Sequence, residues 1–156
     1  MIASVRPSAR FGLPADAEIL MAAGEFTPGD GMRMAVWAFA VLKYAAPNLH
    51  LVLVGDGPER ERILRFAWSI IFDDMRVHSL IADNPFEVIA EADIVWGTHP
   101  RGGIPFLSAA TRHEKPALAF HTPDTEGVPG LVLTPFGDPV ALATATRKVL
   151  AELVQR

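Results

Sequence analysis

Residues 51–63 read LVLVGDGPERERI: an unbroken run of leucine and valine, a turn carrying Gly55 and Gly57, then Pro58 opening a charged and periodic stretch. A continuous apolar run bounded by glycine predicts a strand buried on both faces. Proline is tolerated in a helix's first turn because the N–H it lacks has no partner there, and Ile63, Phe66 and Ala67 then share one helical face. A strand passing through a glycine turn into an amphipathic helix is the repeating unit of a parallel sheet.

The rest of the chain repeats that unit. Residues 17–23, AEILMAA, form an apolar run stopped by Gly24. Between it and Leu49 lies DGMRMAVWAFAVLKYAAP, residues 30–47, which opens on Asp30 as a helix N-cap, sets Val36, Phe39, Ala40 and Leu42 on one face and stops at Pro47. Downstream come a short strand over RVHSLI (76–81), a helix over NPFEVIAEA (84–92), a strand over DIVWG (93–97), a helix after Gly102, and a strand over PALAF (116–120). The last segment, 138–156, starts with aspartate and proline and spaces Leu142, Val149, Leu150 and Leu153 as an amphipathic helix. The expected fold is α/β: a Rossmann-like, doubly wound parallel sheet in three α/β/α layers over residues 13–156, preceded by a linker-like segment, 1–12.

Composition narrows the function. In 156 residues, half of them apolar, there is material for one domain with a sizeable core. Fourteen basic against eighteen acidic side chains give a net charge of -4, with no basic run suited to nucleic acid or to a membrane surface. The absence of cysteine removes disulfides, thiolate metal sites and a cysteine nucleophile, and fits a cytoplasmic setting. No apolar run approaches the roughly 20 residues of a membrane-spanning helix. The five histidines have no metal-binding spacing, so no metal or other cofactor is expected, and Ser108 lacks the glycine elbow of a hydrolase nucleophile.

Four phrases, in order, carry a resemblance: AGEFTPGDGM (23–32), LVLVGDGPERERI (51–63), EADIVWG leading into RGGIPFLSAATRHEKPALAF (91–120), and GDPVALATATRKVL (137–150). Together they resemble the C-terminal, donor-binding half of the GT-B glycosyltransferases of group 1, family 4, over about residues 5–153. The resemblance implies a domain that holds a nucleotide-diphosphate sugar at the C-terminal strand ends. A separate N-terminal half, or a partner transferase, would supply most of the acceptor site.

The same resemblance exposes departures. The family's diphosphate-binding arginine and lysine fall on Glu25 and Asp30, so both charges are reversed. Its two glutamates, separated by seven residues, fall on Arg101 and Ala109, and a one-residue slip places Pro100 and Ser108 there instead. The glycine-rich loop before the last strand is about ten residues shorter, with Gly130 kept and Glu126 a loose counterpart. The substrate-binding residues implied are Gly24, Glu25, Asp30, Gly55, Gly57, His99, Arg101, Gly102 and Gly103, with no catalytic residue assigned. For several of these a purely structural role competes: Asp30 as a cap, Gly55 and Gly57 as a turn, Arg101 as a solvated side chain at the cleft edge. Arg101 beside Gly102 and Gly103 is otherwise a relocated phosphate contact, since amides at a helix start favour anions. His99 and His121 are the histidines to test as acid or base.

Three functions follow: a donor-side domain that transfers nothing as this chain alone, a non-catalytic binding or interaction module that has lost its donor, and an unrelated flavodoxin-like nucleotide binder.

Overall fold

Among the described residues, six strands lie in the order β3-β2-β1-β4-β5-β6, and each neighbouring pair is parallel. They are β1 (Glu18–Ala23), β2 (Leu49–Val54), β3 (Val77–Leu80), β4 (Ile94–Gly97), β5 (Ala117–Phe120) and β6 (Val132–Thr134). The computed structural model describes residues 12–14, 16–71, 76–82, 84–101 and 103–154. The helices are α1 (Met32–Leu42), α2 (Arg60–Ile71), α3 (Ile104–Arg112), a single turn α4 (Pro123–Glu126) and α5 (Pro139–Val154), with a 3-10 helix over Pro85–Glu91. The Rossmann-like, doubly wound reading therefore holds.

The strand pleat divides the core in two. Leu20 and Ala22 of β1 pack beneath α1, α2 and α5 with Val36, Phe39, Ile63, Ala67, Leu142 and Leu150. Ile19 and Met21, on the opposite pleat, pack beneath the 3-10 helix and α3 with Val88, Ile89, Phe106 and Leu107. Both faces of β1 and β2 are covered, which is why their sequences are continuously apolar rather than alternating. Trp96 of β4 is buried and donates its indole N–H to Thr146 Oγ1 at 2.8 Å, tying α5 to the sheet.

Two local expectations need correction. Asp30 is not the N-cap of α1; that position is Gly31, at φ 91, and Asp30 precedes it while its Oδ1 still accepts the N–H of Met32 at 3.1 Å. The segment after Asn84 winds as a 3-10 helix rather than an α-helix. The Asn84 side chain accepts the N–H of Phe86, and Val88 and Ile89 are its buried residues, too short a face to hold several α turns. The loop after β5 contains the helical turn α4, closed by reciprocal hydrogen bonds between Thr122 and Thr125. Residues 1–11 of the linker-like segment lie outside the described residues, while Leu13 packs against the second core.

At the far side of the sheet His50 and His78 stack, with Nδ1 of one 3.0 Å from Nε2 of the other. Burial, with His50 as a second cause, holds His78 below its ordinary value of 6.5. Below pH 6.5 the unfolded chain takes a proton at this position that the folded chain resists. The His78 contribution to stability is thus complete above 6.5 and is lost as pH falls through the depressed folded value. Urea midpoints measured between about pH 7 and pH 5 are expected to fall less steeply in His78→Asn than in the parent; parallel profiles would remove this pair as the source.

Candidate functional site

Parallel register brings the C-terminal ends of β1, β2 and β4 to one edge, with Ala23 beside Val54 and Ala22 beside Trp96. Chain direction diverges here, since β2 lies to one side of β1 and β4 to the other, and such a switch point opens a crevice above the strand ends.

Glycine lets the loops at this edge approach backbone to backbone. A Cβ on Gly55 would collide with the carbonyl oxygen of Gly24, one on Gly57 with that of Glu25, and one on Gly31 with that of Thr98. The β1 loop, residues 24–31, is thereby wedged between the loops that leave β2 and β4. Its anchor is Phe26, fully buried at φ 51, a conformation unfavourable for a bulky side chain and held by the surrounding packing. The Phe26 carbonyl accepts the N–H of Glu59 at 2.8 Å, joining the loop to the start of α2.

Two cavities flank this loop. A cleft of about 500 Å³ is lined by Gly24, Glu25, Gly55, Asp56, Phe86, His99, Arg101, Gly103 and neighbouring apolar groups. A second cavity, of about 380 Å³, contains Asp30, Arg33, Glu59, Thr98 and Phe136 in its wall. The structure thus brings Gly24, Glu25, Gly55, His99, Arg101 and Gly103 together, while Asp30 lines the other cavity with its buried Oδ2 packed beside Gly24. Gly57 lines neither cavity, and its position is accounted for by loop packing. Gly102 lies outside the described residues.

Within the cleft, His99 Nδ1 accepts the backbone N–H of Arg101 at 2.9 Å, which orients the ring and leaves its proton on Nε2. The Arg101 side chain is exposed and makes no ion pair or hydrogen bond among the described residues. Asp56 is tied to its own turn, with Oδ1 accepting the N–H of Gly57 at 2.8 Å. Glu25 and Asp56 put two carboxylates against the single guanidinium of Arg101. Gly103, at φ 71, caps α3, and it lines the cleft together with Pro105, which carries no N–H, and Phe106 from the start of that helix. His121 is elsewhere: it follows β5, exposed, with Nε2 3.6 Å from Glu126 Oε2.

Sequence reasoning missed Phe86, 43% exposed, which packs obliquely on Phe106 and forms an aromatic wall of the cleft. Its signal was the Asn-Pro-Phe start at residue 84, but a segment read as an α-helix turns that ring elsewhere. Asp56 was visible inside the GDG turn and was not singled out.

Strand order and a crevice at the switch point define a Rossmann-like domain of the kind that forms one half of a GT-B fold. The family described as "Glycosyl transferases group 1" matches residues 17–152, and the chain belongs to that family. No curated protein matches it. Among solved structures it is similar to HepE of Anabaena in complex with UDP, at 19% identity and a TM-score of 0.76 over 89% of this chain and 40% of that one. It is likewise similar to the sucrose-phosphate synthase of Thermosynechococcus elongatus, at 24% identity and a TM-score of 0.75 over 95% of this chain and 40% of the other. A glycosyltransferase from Rickettsia africae gives 14% identity and a TM-score of 0.78 over 94% and 41%. The chain spans about 40% of the length of these structures. No helix among the described residues is long and apolar enough to cross a membrane.

Proposed function

We propose that this chain is the donor-side half of a group 1 glycosyltransferase fold whose cleft keeps the shape of a nucleotide-sugar site and has lost the charge that holds a diphosphate. The observation that carries this reading is the composition of the cleft: Glu25 and Asp56 stand against Arg101 alone. Transfer of a sugar from a nucleotide diphosphate builds negative charge on the leaving oxygen, and a site that promotes it must present positive charge there. Here the net charge of the ionised groups has the wrong sign. What favours residual recognition is the glycine backbone of the cleft, the start of α3 at its wall and the Arg101 guanidinium, which makes no ion pair among the described residues, with Phe86 as a surface for a base. The likeness to a structure of HepE bound to UDP supports the nucleotide class of ligand. An N-terminal half or partner transferase would complete the acceptor side, consistent with the length of the neighbours.

Calorimetric titration of the chain with UDP-, GDP- and ADP-sugars at low salt tests this. Binding is expected with a Kd of about a millimolar or weaker, lost in Arg101→Ala, together with no sugar transfer. Transfer by the chain alone would overturn the proposal, as would micromolar binding that survives Arg101→Ala.

A further inference from the structure

On one face of the sheet α1 packs between α5 and α2, and the outer surface of these three helices carries groups that the core does not use. Turned away from the sheet on α1 are Arg33, Trp37, Val41 and, just past its end, Tyr44, spaced so that they form one stripe. All four are exposed, Trp37 by 46% and Tyr44 by 82%. Trp37 is held in position by stacking on Phe66 of α2 at 5.9 Å, and the Arg33 guanidinium lies over the same ring at 4.3 Å. No carboxylate occurs along Met32–Leu42, and the neighbouring helices add the exposed cations Arg62, Arg65, Arg147 and Lys148. Little opposes them. Glu59 is engaged by Arg62 at 3.5 Å, Glu61 lines the groove on the far flank of α2 beside β3, and Glu152 falls on the flank of α5 opposite Ala143 and Arg147, which border α1. A chain of net charge -4 thus presents one face with a positive excess, which no single run of its sequence carries and which the packing of three helices assembles.

We propose that this face docks on the surface of an anionic lipid bilayer. Its charge selects an anionic partner, because a second copy laid on it would set guanidinium groups against guanidinium groups. Its shape selects a flat one: Phe66 and Trp37 fill the seam between α1 and α2, and the depression between α1 and α5 is only about 170 Å³, too shallow to seat a helix or a peptide. Tryptophan and tyrosine settle at headgroup level, where an apolar ring and a polar tip are both satisfied, and arginine and lysine beside them reach lipid phosphates while their stems cover apolar surface. Each such cation near an anionic surface strengthens attachment about fivefold. The contact is interfacial and needs no spanning helix. It leaves the crevice at the strand ends open, and it does not depend on the nucleotide reading.

The test is co-sedimentation of the full chain, at low salt, with vesicles of phosphatidylcholine alone and of phosphatidylcholine and phosphatidylglycerol in about equal parts. Partitioning is expected to favour the anionic vesicles by about tenfold or more, and to be lost as salt is raised. Arg65→Gln combined with Lys148→Gln changes two exposed groups outside the core and should weaken it by about tenfold to thirtyfold. Tyr44→Ala should weaken it severalfold, while Phe136→Ala, which removes an exposed ring at the strand-end edge, should leave it unchanged. Melting temperatures close to that of the parent separate lost docking from lost folding in each variant. Equal partitioning to both kinds of vesicle, attachment that persists at high salt, or no attachment would overturn the proposal. So would a loss in Phe136→Ala as large as that in Tyr44→Ala, or a dimer that Tyr44→Ala dissociates in place of vesicle binding.

Discussion

Replacing Gly55 with alanine is expected to destabilise the fold by about 3 kcal/mol or more, among the larger effects a single methyl group can have. Two causes add. Gly55 sits at φ 138, where an L side chain is strained, and its new Cβ would run into the carbonyl oxygen of Gly24. Neither backbone is free to retreat. Gly55 donates its N–H to Leu80 at 2.9 Å, and Gly24 donates to Val54 at 3.0 Å, so a shift of either breaks a bond that continues the sheet into the loops. Gly127 is the matched control: a Cβ there meets nothing and its φ of -84 suits any residue, so Gly127→Ala should stay within about 0.5 kcal/mol of the parent. Urea unfolding of the two variants makes the comparison. A loss below about 1 kcal/mol in Gly55→Ala would mean that the loops separate easily, and that the GDG turn is held for another reason.

That turn illustrates what the sequence could and could not disclose. The run ending at Gly55 announced a buried strand because burial on both faces demands continuous apolar residues, and the same logic located β1. Amphipathic spacing placed α2 and α5, since their periods are local properties. The turn's reason for glycine was not local: it depends on Gly24 and Glu25, some thirty positions upstream, closing on it from β1. The start of α1 moved from Asp30 to Gly31 because Gly31 must press against the Thr98 carbonyl in the loop after β4. For the candidate site, the reversed charges at residues 25 and 30 were legible letter by letter. Their separation into two cavities was not, because the buried Phe26 and the three glycine contacts turn the β1 loop in a way that only packing fixes. Phe86 escaped notice for the related reason that a 3-10 helix presents its residues at a different angle from an α-helix.

Reversing one charge in the cleft should restore much of what the diphosphate lacks: Glu25→Arg is expected to raise affinity for UDP by about tenfold to a hundredfold at low salt. Glu25 is exposed and lines the same cleft as Arg101, so water screens it, and each unit-charge interaction with a phosphate is worth about 1 kcal/mol rather than the roughly 4 kcal/mol of a shielded pair. The substitution removes one such repulsion and adds one such attraction, about 2 kcal/mol in all. Glu25→Gln removes only the repulsion and should therefore gain about half as much in free energy. Because the Glu25 carbonyl, not its side chain, faces Gly57, neither substitution disturbs the loop packing that shapes the cleft. The gain of Glu25→Arg should shrink as salt is raised toward physiological strength, where the screening length is about 8 Å. It should also shrink when Arg101→Ala is added, since both guanidinium groups then no longer address one anion. A Glu25→Arg chain that binds UDP no better than the parent would show that the diphosphate does not approach the β1 loop. In that case the nucleotide reading fails at its geometric premise, because a cleft shaped for a nucleotide must respond to the sign of the charge in its wall.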